Sequence, residues 1–297
     1  MMEARGMNSG RLSDKQIAEF EQRGYVILRN FLDLSIVDRV KQSIEEVQEE
    51  IIQEYLEKGL ISNAYPEAPF ETRLTKIYSE YTGNKPTEMR PQLHKAGMFD
   101  LFFNPPLLDI IESILGPEIR LYPNYTVRDK VPNSEATLVL WHQDAGYTAT
   151  GGGGIDEDNP EQDAETLRMV NAWTPIVPAT VENGCMQFVP GTHKLGVVPH
   201  FQKNKYYLEI AEDELQPQLS QAVNIEMDPG DVALFSNLIF HCGLPNQSSH
   251  IRWSVDWRYQ DATQSTARKA KGHIARSSNN PASAVQDARD WAGRSFL

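Results

Sequence analysis

A chain of 297 residues exceeds the usual single-domain size, yet β-barrel and sandwich enzymes reach that length as one unit with a large core. The formal net charge of −13 would be repelled by nucleic acid and by anionic membrane surfaces, and argues against both as partners. Two cysteines, Cys185 and Cys242, make no disulfide framework and suit a reducing cytoplasm; Met1 to Gly10 lacks an apolar leader core, and no run reaches membrane-spanning length.

Residues 1–12 read as disordered. Ser13-Asp14 is a helix cap, Ile17 and Phe20 continue a short helix, and Gly24 ends it before the strand-like run Tyr25 to Leu28. Asp33 and Ser35 open a longer helix with Val37, Val40, Ile44, Val47, Ile51 and Tyr55 on one face, a stripe best explained by core packing. The prolines and glycine between Ile61 and Met89 suggest a loop wrapping the fold. His94 to Leu115 is helical, interrupted at Pro105-Pro106 and closed by Gly116-Pro117.

Strands dominate beyond this point. They are expected over Ile119–Val127, Ala136–His142, Arg168–Ile176, Met186–Val189, Val223–Met227, Val232–Phe235 and Ile251–Tyr259, with Asp228-Pro229-Gly230-Asp231 as a tight turn. Gly151 to Gly154 could suggest phosphate cradling, but no lysine or helix follows and the neighbours are acidic, so the stretch is better read as a lid loop. From Asp261 onward the chain is polar. Many short strands with Gly/Pro turns point to a sandwich or barrel, mainly β with flanking helices: one domain over 1–297, with helical support over 13–117, a strand-rich core over 118–260 and a polar tail over 261–297.

The chemistry centres on Trp141-His142-Gln143-Asp144. A His and an Asp two apart on a strand share a face, and His241 in Leu238-Ile239-Phe240-His241 can add a third ligand. Two His and one carboxylate form the facial triad of non-haem Fe(II) oxygenases, although an isolated His is more often a satisfied core residue. On Ile251 to Tyr259, Arg252, Ser254, Asp256 and Arg258 share one face and Trp253, Val255, Trp257 and Tyr259 the other. That pattern suits a half-exposed strand or a barrel with a polar lumen. The closeness of Arg252 to His241, with only the loop 243–250 between them, favours the lumen. There a guanidinium can clamp a dicarboxylate whose other end chelates a metal. Asp256 and Arg258 would then read a polar substrate. His193 is read as structural, and Asn171 as core or lumen.

Several segments, in order, resemble the phytanoyl-CoA dioxygenase family of Fe(II)/2-oxoglutarate-dependent dioxygenases. They are Phe20-Glu21-Gln22-Arg23-Gly24-Tyr25-Val26-Ile27, Trp141-His142-Gln143-Asp144, Ala172-Trp173-Thr174, Glu182-Asn183-Gly184-Cys185-Met186, Pro190-Gly191-Thr192-His193-Lys194 and Pro229-Gly230-Asp231, followed by His241 and Arg252. The resemblance implies a double-stranded β-helix, a cupin-like jelly roll. It implies that His142, Asp144 and His241 bind Fe(II), that Arg252 clamps the distal carboxylate of 2-oxoglutarate, and that Trp173 and Gln143 contact the cosubstrate. O2 is then the second cosubstrate, and a C–H bond of a small organic molecule is hydroxylated with release of succinate and CO2. Gly243 departs from relatives that carry a hydroxyl residue two positions after the second His. Two rivals remain at this level: a metal-dependent isomerase or hydrolase on the same barrel, and a non-catalytic ligand-binding barrel.

Overall fold

The computed structural model describes residues 10–81, 83, 91–149, 165–202, 208–266 and 268–295. Helix α1 (Asp14–Arg23) starts on a reciprocal cap between Ser13 and Gln16 and ends at Gly24, whose φ of 83° lies in the left-handed region. Strand β1 (Tyr25–Leu28) leads to α2 (Leu34–Glu57), capped by Asp33 and burying Val37, Val40, Ile44 and Val47. A third helix, α3 (Phe70–Glu80), occupies part of the stretch expected to be loop. Phe70, Leu74, Ile77 and Tyr78 recur there at helical spacing and are all buried; the prolines before them masked the period. Helices α4 (Ala96–Phe102) and α5 (Pro105–Leu115) follow, Asn104 capping α5 through the Leu107 N–H.

The span expected as one strand over 119–127 is two, β2 (Ile119–Leu121) and β3 (Thr126–Lys130). Then come β4 (Val139–His142), the short helix α6 (Asp144–Ala149), β5 (Met169–Pro175) and β6 (Met186–Val189). A ribbon of β7 (His200–Gln202) and β8 (Leu208–Ile210) precedes α7 (Glu212–Leu215). The chain closes with β9 (Val223–Ile225), β10 (Val232–Ser236), β11 (Phe240–Gly243), β12 (Arg252–Asp261), β13 (His273–Arg276) and α8 (Ala288–Ala292). The glycine-rich lid expected at 151–154 lies outside the described residues, and among those described no helix is long and apolar enough to cross a membrane.

Two antiparallel sheets close on one another. The larger has the order β1-β10-β5-β12-β2-β13, with β3 also paired to β12; the smaller has the order β4-β11-β6-β9. Tyr25, Trp173, Ala233 and Phe235 of the larger sheet pack with Met186, Phe188 and Ile225 of the smaller, which fills the space between them. The result is a double-stranded β-helix whose larger sheet carries the helices on its outer face.

Strand β12 is buried along its whole length, which settles which alternative its alternation represents. Its aromatic face packs under the helices, with Trp253 against Phe70, Trp257 against Phe102 and the Tyr259 hydroxyl donating to the Phe102 carbonyl at 2.7 Å. Its polar face therefore looks into the barrel. The stretch after Asp261 is no loose tail: β13 extends the larger sheet beside β2, and α8 buries Trp291 against His94 and Phe103. Its core anchors are too widely spaced, one buried tryptophan among polar residues, to show as a periodic pattern.

Candidate active site

Neighbouring strands β4 and β11 put His142 directly opposite His241, with ring centroids 4.0 Å apart. Each ring donates its Nδ1–H to a carbonyl two residues back, His142 to Leu140 at 2.8 Å and His241 to Ile239 at 3.0 Å. Both Nε2 atoms are thereby left as lone-pair donors, the form a metal requires. Burial, and then His142 beside it, push His241 down to about 3, so its ring is neutral across the physiological range.

Asp144 reaches this pair by a different route from the one strand alternation suggested. Strand β4 ends at His142 and Asp144 is the first residue of α6, so a turn, and not a shared strand face, directs the carboxylate inward. Its Oδ1 lies 3.4 Å from His142 Nε2 and 3.8 Å from His241 Nε2. Burial alone would raise this carboxyl, but Arg258 and the two imidazoles hold it well below the usual carboxylate range. The three ligand atoms lie within 4.8 Å of one another. Ligands about 2.1 Å from a shared divalent ion stand about 3–4 Å apart, so donor types and spacing both fit one ion.

Gln143 is not brought to the site. Its side chain is fully buried on the far side of the turn, where Nε2 donates to the carbonyls of Gly196 (2.8 Å) and Leu238 (2.6 Å), and Oε1 accepts from the Val198 N–H (2.9 Å). With every polar atom committed to backbone, it ties the turn to neighbouring loops and cannot serve a cosubstrate. His200, which has no partner spacing in the sequence, accepts the Gln143 N–H at Nε2 (3.1 Å) and steadies the same turn.

Beyond the triad, the wall of the barrel is cationic. Register across β3 and β12 sets Lys130 opposite Arg252 and Arg128 opposite Ser254, all on the lumenal face. Arg252 is buried, donates to the Ser254 hydroxyl and to the Gly184 carbonyl (3.2 Å), and leaves Nε without a hydrogen-bond partner among the described residues. Its guanidinium carbon sits 5.4 Å from the centroid of the Trp173 ring, on the same cleft. Burial, and then repulsion from Arg128, push Arg252 down to about 10.

Lys130 is the residue that sequence reading missed. Its ammonium is buried and donates to the Gly243 (3.2 Å) and Thr137 (3.3 Å) carbonyls. A Cβ on Gly243 would come within 3.0 Å of Nζ, so the ammonium occupies the space where a residue with a hydroxyl side chain would stand in the relatives noted above. Burial, helped by Arg252 and Arg128, pushes Lys130 down to about 6.

Asp256 and Arg258 line the cleft, but their charges are already matched. Arg258 donates Nε (2.9 Å) and Nη2 (2.7 Å) to Asp144 Oδ2 and Nη1 to Asp256 Oδ1 (2.6 Å), while Asp256 Oδ2 accepts from Arg128 Nε (2.6 Å). Each charge thus has a partner within the protein, on the lumenal face where alternation placed it. Asn171, across from Arg258 on β5, is buried with neither amide atom partnered among the described residues. His193 bonds the Glu21 carbonyl (3.1 Å) far from the triad, as its turn motif suggested. The cleft itself is lined by the triad, Trp173, Arg252 and Arg128 among others.

The family model for phytanoyl-CoA dioxygenase (PhyH) matches residues 20–254. A probable phytanoyl-CoA dioxygenase of Caenorhabditis elegans is 25% identical over 265 residues, covering 84% of this chain and 75% of that protein. The 1-deoxypentalenic acid 11-beta-hydroxylase of Streptomyces arenae is 26% identical over 272 residues, covering 85% and 83%. Among solved structures, EctD from S. alaskensis with 2-oxoglutarate and 5-hydroxyectoine superposes with a TM-score of 0.60 at 18% identity, covering 86% of this chain and 78% of that one. With the family match spanning the helical entry, the triad and Arg252, this chain belongs to the phytanoyl-CoA dioxygenase family of oxidoreductases dependent on non-haem iron and 2-oxoglutarate.

Proposed function

We propose that the protein hydroxylates a C–H bond of a small organic molecule, with Fe(II) held by His142, Asp144 and His241 and 2-oxoglutarate held at its far end by Arg252 and Lys130. The observation that carries this reading is Arg252, a buried guanidinium with an unsatisfied Nε and no carboxylate among its hydrogen-bond partners in the described structure. A buried cation of this kind calls for an anion, and its position on the same cleft as the triad suits a dicarboxylate bound at both ends. Metal-dependent isomerisation or hydrolysis would need no such clamp. Iron and 2-oxoglutarate supply the oxidising chemistry, in which O2 is consumed, the keto acid is converted to succinate and CO2, and one oxygen atom is delivered to the substrate.

The chain's own part is to present three ligands on one side of the ion and leave the other side open. Trp173 lines the same cleft and would wall the cosubstrate's aliphatic stem. Free, buried Cys185 and Cys242 support placement in a reducing cytoplasm. The test is succinate release from 2-oxoglutarate with Fe(II), O2 and a library of small molecules. Substrate-stimulated succinate is expected, and it should disappear in His241→Ala. Turnover of a library member without succinate would point to the isomerase or hydrolase class.

Lys130 adds a prediction on pH. The free ammonium is held down by burial and by Arg252 and Arg128, while the neighbouring Cys185 and Cys242 thiols are pushed up by burial to about 11 and about 12 and stay neutral. An arriving carboxylate favours the protonated lysine, so binding takes up a proton when the pH lies above the free value of about 6. Affinity for 2-oxoglutarate should therefore fall as pH rises above that value. Calorimetry at about pH 8 in buffers of different ionisation enthalpy should register uptake approaching one proton, and close to none in Lys130→Met. Equal uptake in both would separate Lys130 from the cosubstrate.

A further inference from the structure

We infer that Arg258 is a positioning residue for the metal carboxylate, holding Asp144 by Oδ2 so that Oδ1 alone faces the two imidazoles. The basis is the reading of His142, Asp144 and His241 as a divalent-metal site, and the experiment below separates failure of the one from failure of the other. Two N–H groups of a single guanidinium converge on Oδ2, at 2.9 and 2.7 Å, whereas Oδ1 is the oxygen 3.4 and 3.8 Å from the two Nε2 atoms. Both side chains are nearly closed to solvent, at 10% exposure for Asp144 and 7% for Arg258, so water competes little for either oxygen. A carboxylate without such a partner rotates about Cβ–Cγ and can chelate through both oxygens, which would consume one of the positions a keto acid needs.

The guanidinium is itself fixed. Nη1 is shared between Asp256 Oδ1 (2.6 Å) and the Asn124 carbonyl (3.1 Å), and the far oxygen of Asp256 is held by Arg128. The charges therefore alternate along one line from Asp144 through Arg258 and Asp256 to Arg128, each link a hydrogen-bonded ion pair. Only the planar fork of arginine can serve Asp144 and Asp256 together with this geometry; a lysine keeps the charge and loses the fork.

The experiment uses the full chain stripped of metal, Co(II) as the probe, and the variants Arg258→Lys, Arg258→Gln and His142→Ala. Equilibrium dialysis gives the Co(II) affinity, visible absorption reports the ligand field, and thermal melting reports the fold. Arg258→Lys, which keeps the charge and so should fold, is expected to bind Co(II) about 10- to 100-fold more weakly than wild type. Its Co(II) absorption should change, because Oδ2 is released. Arg258→Gln should weaken binding at least as much where it folds. Wild-type affinity and absorption in Arg258→Lys would overturn the inference while leaving the metal site standing. Co(II) binding that His142→Ala leaves unaltered would instead remove the metal-site reading, and the inference with it.

Discussion

Replacing Arg252 with methionine should weaken 2-oxoglutarate binding by roughly 30-fold to several thousand-fold, the equivalent of about 2–5 kcal/mol for losing one partner of a buried charged pair. The same change should make the ligand-free protein more resistant to urea. In the free protein the guanidinium is buried, has one unpartnered nitrogen and is pushed down to about 10, all signs of a charge held against its solvation preference. An apolar side chain of similar length removes that cost, and about 1–3 kcal/mol of added stability is expected. Binding lost while stability is gained is the mark of a residue kept for its ligand. Loss of both would indicate that Arg252 braces the barrel, and unchanged binding would remove it from the cosubstrate site.

Asp144→Ala should show the opposite pattern, losing turnover completely and stability as well. Removing the carboxylate leaves Arg258 buried with two N–H groups aimed at nothing, and breaking a buried pair from one side costs about 3–5 kcal/mol. Asp144→Ala combined with Arg258→Met should recover part of that stability but none of the metal binding, which a double-mutant cycle in urea will read. The pH dependence has a definite sign. Because the folded carboxyl lies well below its unfolded value of 3.8, its contribution to stability is fully present above that value and is lost as the pH falls toward the folded one. The Asp144→Ala protein should accordingly show a shallower acid limb in its stability curve.

Much of the site was legible in the residues, and the exceptions have physical reasons. His142, Asp144, His241 and Arg252 carry their chemistry in residue type and in order along the chain, and the folded barrel brings all four to one cleft. Lys130 escapes the sequence pattern because the expected strand stops at Val127; only pairing with β12 shows that Arg128 and Lys130 continue it and face the lumen. Gln143 neighbours the metal ligands in sequence, yet the turn between His142 and Asp144 sends its side chain away from the cleft. For Arg258, alternation gives the face of the side chain but not its partner, which lies 114 residues away at Asp144.

The fold follows the same division. The capped helices α1 and α2 and the strand β6 were legible because their signals are local: a side-chain cap, a left-handed glycine, a short β run. Helix α3 and the closing elements β13 and α8 escaped because flanking prolines or polar neighbours hid a small number of core anchors. For α8 the anchor is Trp291, whose indole N–H donates to the Leu93 carbonyl (3.1 Å), a contact across 198 residues that no local pattern carries.

In the proposed site three side chains hold an iron that shares one keto acid with Arg252. Its most direct test is visible absorption of the protein kept free of oxygen, as Fe(II) and then 2-oxoglutarate are added. A charge-transfer band should grow to saturation at one equivalent of each, and Asp144→Ala should give none. Fe(II) binding followed by no band at any 2-oxoglutarate concentration would rule out a keto acid shared between the iron and Arg252.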